Sequence, residues 1–158
     1  MTAWLDGVEL ARGIEEAVPG SVESSNATAV WVRPERLHDV AARLKQAEAW
    51  DFEYLNAITA VDYVEYFEVI YHLTSMRINQ ACIIKVKCWG RDEPSLPSVV
   101  DLWQGADLQE REIYDLMGVV FTGHPSLRRL LLWEGYIGHP LRRDYLEEPL
   151  PYSWPHGG

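Results

Sequence analysis

The chain has 158 residues, of which 47% are hydrophobic and 24% charged, a composition typical of one globular domain with a sizeable core. Its formal net charge of −10 disfavours binding to nucleic acid or adsorption to an anionic membrane, because both rely on clustered lysine and arginine. It has no apolar run of about 18 residues and no signal-peptide pattern, so we expect neither a transmembrane nor a secreted protein.

The first third of the sequence predicts a helix, a β-hairpin and a second helix. Residues 7–18 place apolar side chains on one face, and Pro19-Gly20 ends this helix. Residues 21–33 predict two short strands around a turn. The second helix is predicted over residues 34–48, because Pro34 suits a first helical turn and apolar residues recur on one face.

Three longer strands are predicted next, over residues 50–63, 66–75 and 81–89, from their aromatic and β-branched content. Their connections are too short for crossover helices, so we expect antiparallel pairing. Cys82 and Cys88 would share one face of the third strand about 20 Å apart, too far to form a disulfide. Their spacing is also not that of zinc or iron–sulfur ligands.

We expect Trp31, Trp50 and Trp89 to lie in the core, since they lie in or beside predicted strands. Residues 91–97 predict a loop, and Ser98 can cap a short helix that reaches Trp103.

The order of elements indicates an α+β fold, a two-layer sandwich of one antiparallel or mixed sheet with helices on one face, plus an extended C-terminal arm. We divide the chain into an α+β domain at residues 1–104, a docking segment of the same domain at 105–145, and an extended Pro-rich tail at 146–158.

A further helix is predicted at the start of the docking segment. Asp107 can cap the N–H of Glu110 while the Glu110 carboxylate reaches back, and Gly118 supplies the left-handed end. On a helical wheel this segment has an apolar face of Ile113, Leu116 and Met117, opposite a charged stripe of Arg111, Glu112 and Asp115.

Gly-His-Pro followed by Arg-Arg then occurs twice, within residues 123–129 and 138–143. Residues 107–145 contain five arginines and no lysine, and guanidinium groups bind carboxylates through two parallel hydrogen bonds and tolerate burial. This pattern favours a docking surface, whereas the alternative is a solvated amphipathic helix followed by irregular loops. Four aromatic residues in irregular chain are predicted to anchor a partner: Trp133, Tyr136, Tyr152 and Trp154.

Nothing in the sequence indicates catalysis by the isolated chain. Acidic residues near His124 suggest an acid–base or metal site, but the surrounding arginines would compete for the carboxylates, so structural ion pairing is preferred. His124 and His139 each lie between Gly and Pro, which predicts histidines that donate to a carbonyl in a tight turn. No phosphate-binding loop, nucleophile motif or flavin or dinucleotide fingerprint is present.

The same stretch resembles the signature of the 30-kDa subunit family of respiratory complex I, the C subunit in the peripheral arm of NADH:quinone oxidoreductase. The resemblance is strong in the last third and weak over the sheet. It departs from the commoner pattern at Leu108-Gln109 and at Arg143. It is carried by Glu110-Arg111-Glu112, Tyr114-Asp115, Gly118, His124-Pro125, Leu127-Arg128-Arg129, Glu134-Gly135 and residues 138–145.

The resemblance implies a non-catalytic, cofactor-free scaffold subunit at the cytoplasmic side of the cell membrane. Its partners would be the large quinone-site subunit and the subunit holding the terminal iron–sulfur cluster, with FMN, iron–sulfur clusters and quinone in neighbouring subunits. Two alternatives stay open: the equivalent subunit of a ferredoxin-fed complex or membrane-bound energy-converting hydrogenase, and a free-standing soluble enzyme. The predicted interface residues are Glu110, Arg111, Glu112, Asp115, His124, Arg128, Arg129, His139, Arg142, Arg143 and Asp144.

Overall fold

The computed structural model describes residues 1–146, in which three α-helices accompany a mixed sheet of six strands. The predicted α+β class is therefore confirmed, while most of the predicted tail lies outside the described residues. The elements are β1 (Ala3–Trp4), α1 (Gly7–Ala17), β2 (Val22–Ser25), β3 (Val30–Val32), a 3-10 turn (Pro34–Arg36), α2 (Leu37–Gln46), β4 (Tyr54–Asp62), β5 (Tyr66–Ser75), β6 (Gln80–Trp89), β7 (Ser95–Pro97), α3 (Ala106–Met117) and β8 (Val120–Thr122).

The main sheet has the strand order β2-β3-β6-β5-β4. The predicted hairpin and the antiparallel pairing of the three long strands are confirmed, with β5 and β6 in register from Tyr66–Trp89 to Ser75–Gln80. Two features were not predicted: β1 and β3 both pair with β6 in parallel, and β7 and β8 form a separate two-stranded parallel sheet. These pairings join strands that are distant in sequence, so local patterns carry no signal for them.

Residues 98–103 form a turn in place of the predicted short helix. The N–H groups of Leu102 and Trp103 both donate to the carbonyl of Val99, at 3.0 and 2.9 Å, and the next helix begins only at Ala106. The Ser98 hydroxyl accepts the Val100 N–H at 3.2 Å, as a capping residue does, and also donates to a side chain of α3, described below.

Alternation along the strands separates a core face from an open face. Phe67, Val69, Tyr71 and Leu73 of β5 are buried against the helices in one continuous core. The alternate residues of β5 and β6 lie on the open face, and this places Trp89 there with 59% of its surface exposed. The prediction that Trp89 is a core residue was therefore wrong, because it follows Cys88, which occupies the core face. Trp31 and Trp50 are half-buried.

No helix within residues 1–146 is long and apolar enough to cross a bilayer. Both cysteines are buried free thiols, and burial raises the pKa of each.

Candidate docking site

The docking segment begins with α3. The C-terminal end of this helix agrees with the prediction, whereas its N-terminal end does not. Gly118 ends the helix in the left-handed region, with φ 75°, as predicted. The helix begins after Gly105, so Asp107 lies in its first turn and makes no capping bond. The predicted capping box was wrong because the Glu110 side chain points into the core and not back along the helix.

Glu110 is fully buried and anchors α3 to the turn that precedes it. One carboxylate oxygen accepts the Ser98 hydroxyl at 2.6 Å, and the other accepts the Val99 N–H at 2.8 Å. Burial raises the pKa of Glu110, while these two hydrogen bonds act in the opposite direction. Both oxygens thus have donors, which is what allows a carboxylate to lie in an apolar core.

Asp115, also fully buried, organises the irregular chain that follows the helix. Its Oδ2 accepts the three consecutive backbone N–H groups of residues 130–132 at 2.7–3.0 Å, and its Oδ1 accepts Arg129 Nη1 at 2.7 Å. Burial by itself would raise the pKa of Asp115, but these hydrogen bonds lower it to about 2. The carboxylate therefore stays ionised and fixes the path of a loop that has no helix or strand of its own.

Two arginines bind backbone carbonyls within the same segment. Arg129 Nη2 donates to the carbonyls of Tyr136 at 2.9 Å and Gly138 at 3.0 Å. Arg111 donates to the carbonyls of Arg128 at 3.2 Å and Arg129 at 3.1 Å. Arg111 thus links α3 to the loop through the rigid fork of donors on its guanidinium. Arg129, which also binds Asp115 of α3, links α3 to a later part of the loop.

Arg142 returns to the C-terminal end of α3. Its Nε donates to the carbonyl of Met117 at 2.6 Å, and its Nη2 lies 3.4 Å from the carbonyl of Gly118. A cation at this position also interacts favourably with the negative end of the helix dipole. Its Nη1 donates to the carbonyl of Arg91 at 2.8 Å, and its guanidinium lies over the Phe67 ring at 5.3 Å.

The two histidines donate to carbonyls, which confirms the prediction for the Gly-His-Pro motifs. His139 Nδ1 lies 2.9 Å from the carbonyl of Asp115, and burial lowers the pKa of His139. His124 Nε2 lies 3.2 Å from the carbonyl of Asp107, while His124 Nδ1 accepts the Ser126 N–H at 3.0 Å. Because Nδ1 accepts an N–H, Nε2 is the His124 nitrogen that donates to the carbonyl.

A second anchor, which sequence analysis missed, holds the end of the segment. Arg91 donates to both oxygens of buried Asp62, at 2.6 and 3.0 Å, and also to Asp144 at 2.5 and 3.2 Å. Asp62 accepts the Arg143 N–H at 2.9 Å, and its pKa is about 2, because hydrogen bonds from Arg91 and from backbone N–H groups outweigh burial. No sequence motif contains Arg91 or Asp62. The only signal for a buried Asp62 is the alternation of inward- and outward-facing residues along β4, if it is continued to the last residue of the strand.

The predicted interface residues are brought together on and around α3, but they differ in exposure. Glu110 and Asp115 are buried, and all their polar contacts described above lie within this chain. The half-buried ones are Arg111, His124, Arg129, His139 and Arg142, and the exposed ones are Glu112, Arg128, Arg143 and Asp144. Their assignment to a partner interface stays a prediction. A partner can meet the buried carboxylates only indirectly, through the loop that they fix.

The outer surface of the segment carries exposed apolar side chains between these charges. Their exposed fractions, together with that of the residue directly after the segment, run from 47 to 85%, in Leu131, Trp133, Ile137, Leu141 and Leu146. We call these five residues the apolar strip. Within the part of the chain that the structure describes, no group of three or more His, Cys, Asp or Glu side chains is arranged to hold a metal ion. The arrangement is thus a loop braced by internal hydrogen bonds that presents apolar and cationic groups.

Comparison with known proteins gives one consistent family. The family model described as "Respiratory-chain NADH dehydrogenase, 30 Kd subunit" matches residues 30–150. The C subunit of NADH-quinone oxidoreductase from Roseiflexus sp. (strain RS-1) is 43% identical over 85% of this chain and 79% of its own length. The corresponding C subunit from Rhodobacter capsulatus is 38% identical over 87% of this chain and 71% of its own length.

A longer relative and a solved structure extend the comparison. The C/D subunit of NADH-quinone oxidoreductase from Phocaeicola vulgatus is 40% identical over 74% of this chain, which matches 22% of its length. A chain of the membrane-bound sulfane sulfur reductase, an archaeal respiratory membrane complex, has a TM-score of 0.71 and 23% identity, covering 87% of this chain and 84% of that one, and shows the shared fold. Because the family model spans β3 to β6 of the sheet as well as α3 and its braced loop, the chain belongs to the 30-kDa subunit family of respiratory-chain NADH dehydrogenase.

Proposed function

We propose that this chain is a subunit of the peripheral arm of a proton-pumping NADH:quinone oxidoreductase and that it acts as a scaffold. The assignment to an NADH:quinone-type complex rests on family membership and on relatives named as the C subunit of NADH-quinone oxidoreductase. In the scaffold role, the chain holds redox subunits in register, while FMN, iron–sulfur clusters and quinone are bound by its neighbours. The isolated chain would have no activity, and it would lie at the cytoplasmic side of the membrane only through the complex.

The observation that carries the scaffold role is the exposed apolar strip on a braced loop. Five large apolar side chains are exposed within residues 131–146, and Ile137 and Leu146 line the same surface pocket. Contiguous exposed apolar patches mark interfaces. Each side chain of this size contributes about 1.5–3 kcal/mol when it is fully covered. Because Asp115, Arg129 and Arg142 already fix the loop, a partner would bind it without ordering it first, which lowers the entropic cost of docking.

The first partner we propose is the large quinone-site subunit, and the second is the subunit that holds the terminal iron–sulfur cluster. The relative from Phocaeicola vulgatus is named as a single C/D subunit, which favours close contact between this chain and a second, larger subunit. Within this chain, residues 1–104 would form the body and 105–145 the docking segment, while the tail predicted at 146–158 lies, apart from Leu146, outside the described residues. The relatives that match over most of this chain are named for NADH and quinone, which favours this donor over ferredoxin or hydrogen.

The scaffold role is tested by Ile137→Ser, which removes a side chain that is 72% exposed. We expect the purified subunit to unfold at an unchanged temperature, while the amount of complex on a native gel falls about fivefold or more, as for a residue at the centre of an interface. NADH:quinone activity per assembled complex should be preserved. Val8→Ser on the surface of α1 is the matched control, since Val8 is also an exposed apolar residue, at 40%.

Full assembly of the Ile137→Ser complex would contradict docking through the apolar strip. Normal assembly with lost turnover would show that the residue acts in catalysis or proton coupling, and the scaffold role would then be wrong.

A further inference from the structure

The open face of the sheet ends in a group of exposed aromatic residues outside the docking segment. Tyr63 stacks on Tyr66 at a centroid distance of 5.2 Å, and Tyr66 contacts Trp89 at 4.9 Å. Trp89 is 59% exposed and Tyr63 45%, and Val64, in the turn between β4 and β5, is 50% exposed. We call Tyr63, Val64, Tyr66 and Trp89 the aromatic end. Tyr66 itself is half-buried, and the exposed rings of Tyr63 and Trp89 on either side of it mark an interaction surface.

The aromatic end is held rigidly and is continuous with the docking segment. Val64 adopts φ 73°, a conformation that is unfavourable for a β-branched residue. Its N–H donates to Asp62 at 2.7 Å, and the same carboxylate binds Arg91 and the Arg143 N–H. One buried carboxylate therefore fixes both the turn that presents Tyr63 and the end of the docking segment, so one partner surface can cover both.

Charge around the aromatic end is acidic. The two loops that leave the sheet at the Tyr66–Trp89 pair carry exposed Glu65, Asp92 and Glu93. Among the nearby cations, Lys87 binds Glu23 at 2.7 Å and Arg91 binds Asp62 and Asp144. Arg142 binds backbone carbonyls and Arg143 is exposed, so the three exposed acids outnumber these two arginines. The whole chain has a formal net charge of −10. An occupant with positive charge would thus be attracted and an anionic one repelled.

The rings of this face already accept cations from their own chain. Lys85 lies over Trp31 at 4.9 Å, and Lys87 lies over Tyr66 at 5.8 Å. Among residues 1–146, no cation lies over Trp89 or Tyr63. The exposed faces of these two rings carry the negative side of the aromatic quadrupole and offer the same contact to a cation from outside.

We propose that the aromatic end is a second docking surface, which receives a basic segment of another subunit with arginine or lysine side chains over Trp89 and Tyr63. The proposal rests on the proposed role as an assembled subunit. It adds to that role a second surface, which is formed by the sheet and is separate from the apolar strip. It also specifies the chemistry of the segment that covers this surface.

The experiment uses the intact complex in membranes, with a benzophenone photo-cross-linker in place of Val64 and, separately, of Ile137. We expect the probe at position 64 to cross-link one segment of another subunit that is rich in arginine or lysine. Exclusive cross-linking to lipid, to an acidic or uncharged segment, or to nothing would overturn the proposal. Cross-linking at position 137 without cross-linking at position 64 would refute this inference alone. The absence of cross-links at both positions would refute the scaffold role as well.

Charge and ring variants give an independent readout. Glu65→Lys and Trp89→Leu should each weaken retention of the subunit in salt-washed complex by about 3- to 30-fold, the range expected for a contact between a cation and a ring or acid. The effect of Glu65→Lys should shrink as ionic strength rises. Glu16→Lys, an equal charge change at an exposed position of α1, is the control. Equal effects of Glu65→Lys and Glu16→Lys would overturn the proposal.

Discussion

Replacement of Asp115 by asparagine tests the claim that one buried carboxylate holds the docking segment together. The amide oxygen of Asn can still accept the three N–H groups of residues 130–132. Its NH2 group, however, would face Arg129 Nη1, which now donates to Oδ1 at 2.7 Å. Two donors would then meet, and the half-buried Arg129 would lose its only ion-pair partner among the described residues. The perturbation is therefore electrostatic, with almost no change in volume.

The expected cost can be worked out from the pKa of the carboxylate. The pKa of Asp115 is lowered from 3.8 to about 2. This difference corresponds to about 2.5 kcal/mol of folding free energy. Because the folded-state pKa is depressed, this stabilisation is fully present above pH 3.8 and is lost as the pH falls through about 2. For a domain of this size, about 2.5 kcal/mol lowers the melting temperature by roughly 5–10 °C.

Urea unfolding of the purified subunit at several pH values measures this contribution. The free energies of unfolding of the natural chain and Asp115→Asn should differ by about 2–3 kcal/mol at pH 7 and converge between pH 4 and 2. Amide exchange at residues 130–132 should be faster in the variant at pH 7. Glu112→Gln makes the same chemical change at an exposed position of α3 and should alter stability by less than about 0.5 kcal/mol. A pH-independent difference, or none at pH 7, would refute the reasoning.

Two further predictions concern the ends of the docking segment. Gly118→Ala should lower the stability of the purified subunit by about 1–3 kcal/mol in thermal unfolding, because the φ of 75° strains any side chain and the added Cβ would lie within 2.6 Å of both Arg142 and His139; an unchanged melting temperature would show that these side chains move away freely. Truncation after Tyr145 should leave thermal unfolding nearly unchanged, since a Pro-rich sequence adds little to a core, while retention in the complex weakens on a native gel; a large drop in melting temperature would contradict this.

Much of the fold was readable from local patterns. The predicted helix over residues 7–18 is observed as Gly7–Ala17, and the strand predicted over 66–75 is observed with the same bounds. Such elements follow from periodicity and from turn residues, which act over a few positions. Gly118 also ends α3 as predicted, because the left-handed conformation is a property of glycine itself. The motif after it was sufficient to indicate the family.

Other features depended on chain segments that meet only in the folded protein. A helical wheel placed Asp115 with Arg111 and Glu112 on a charged stripe, yet Asp115 is buried because residues 129–132 fold back onto it. A wheel describes one helix and cannot show what covers it.

The sequence by itself thus determined the local elements, the Gly-His-Pro turns and the family. The tertiary structure decided which charges are internal and which face outward, and it identified Arg91 and Asp62 as a second anchor 29 residues apart. The physical reason is that burial and ion pairing are set by non-local contacts. A charged residue that serves as an internal brace and one that serves as a surface contact have the same local signature until the chain is folded.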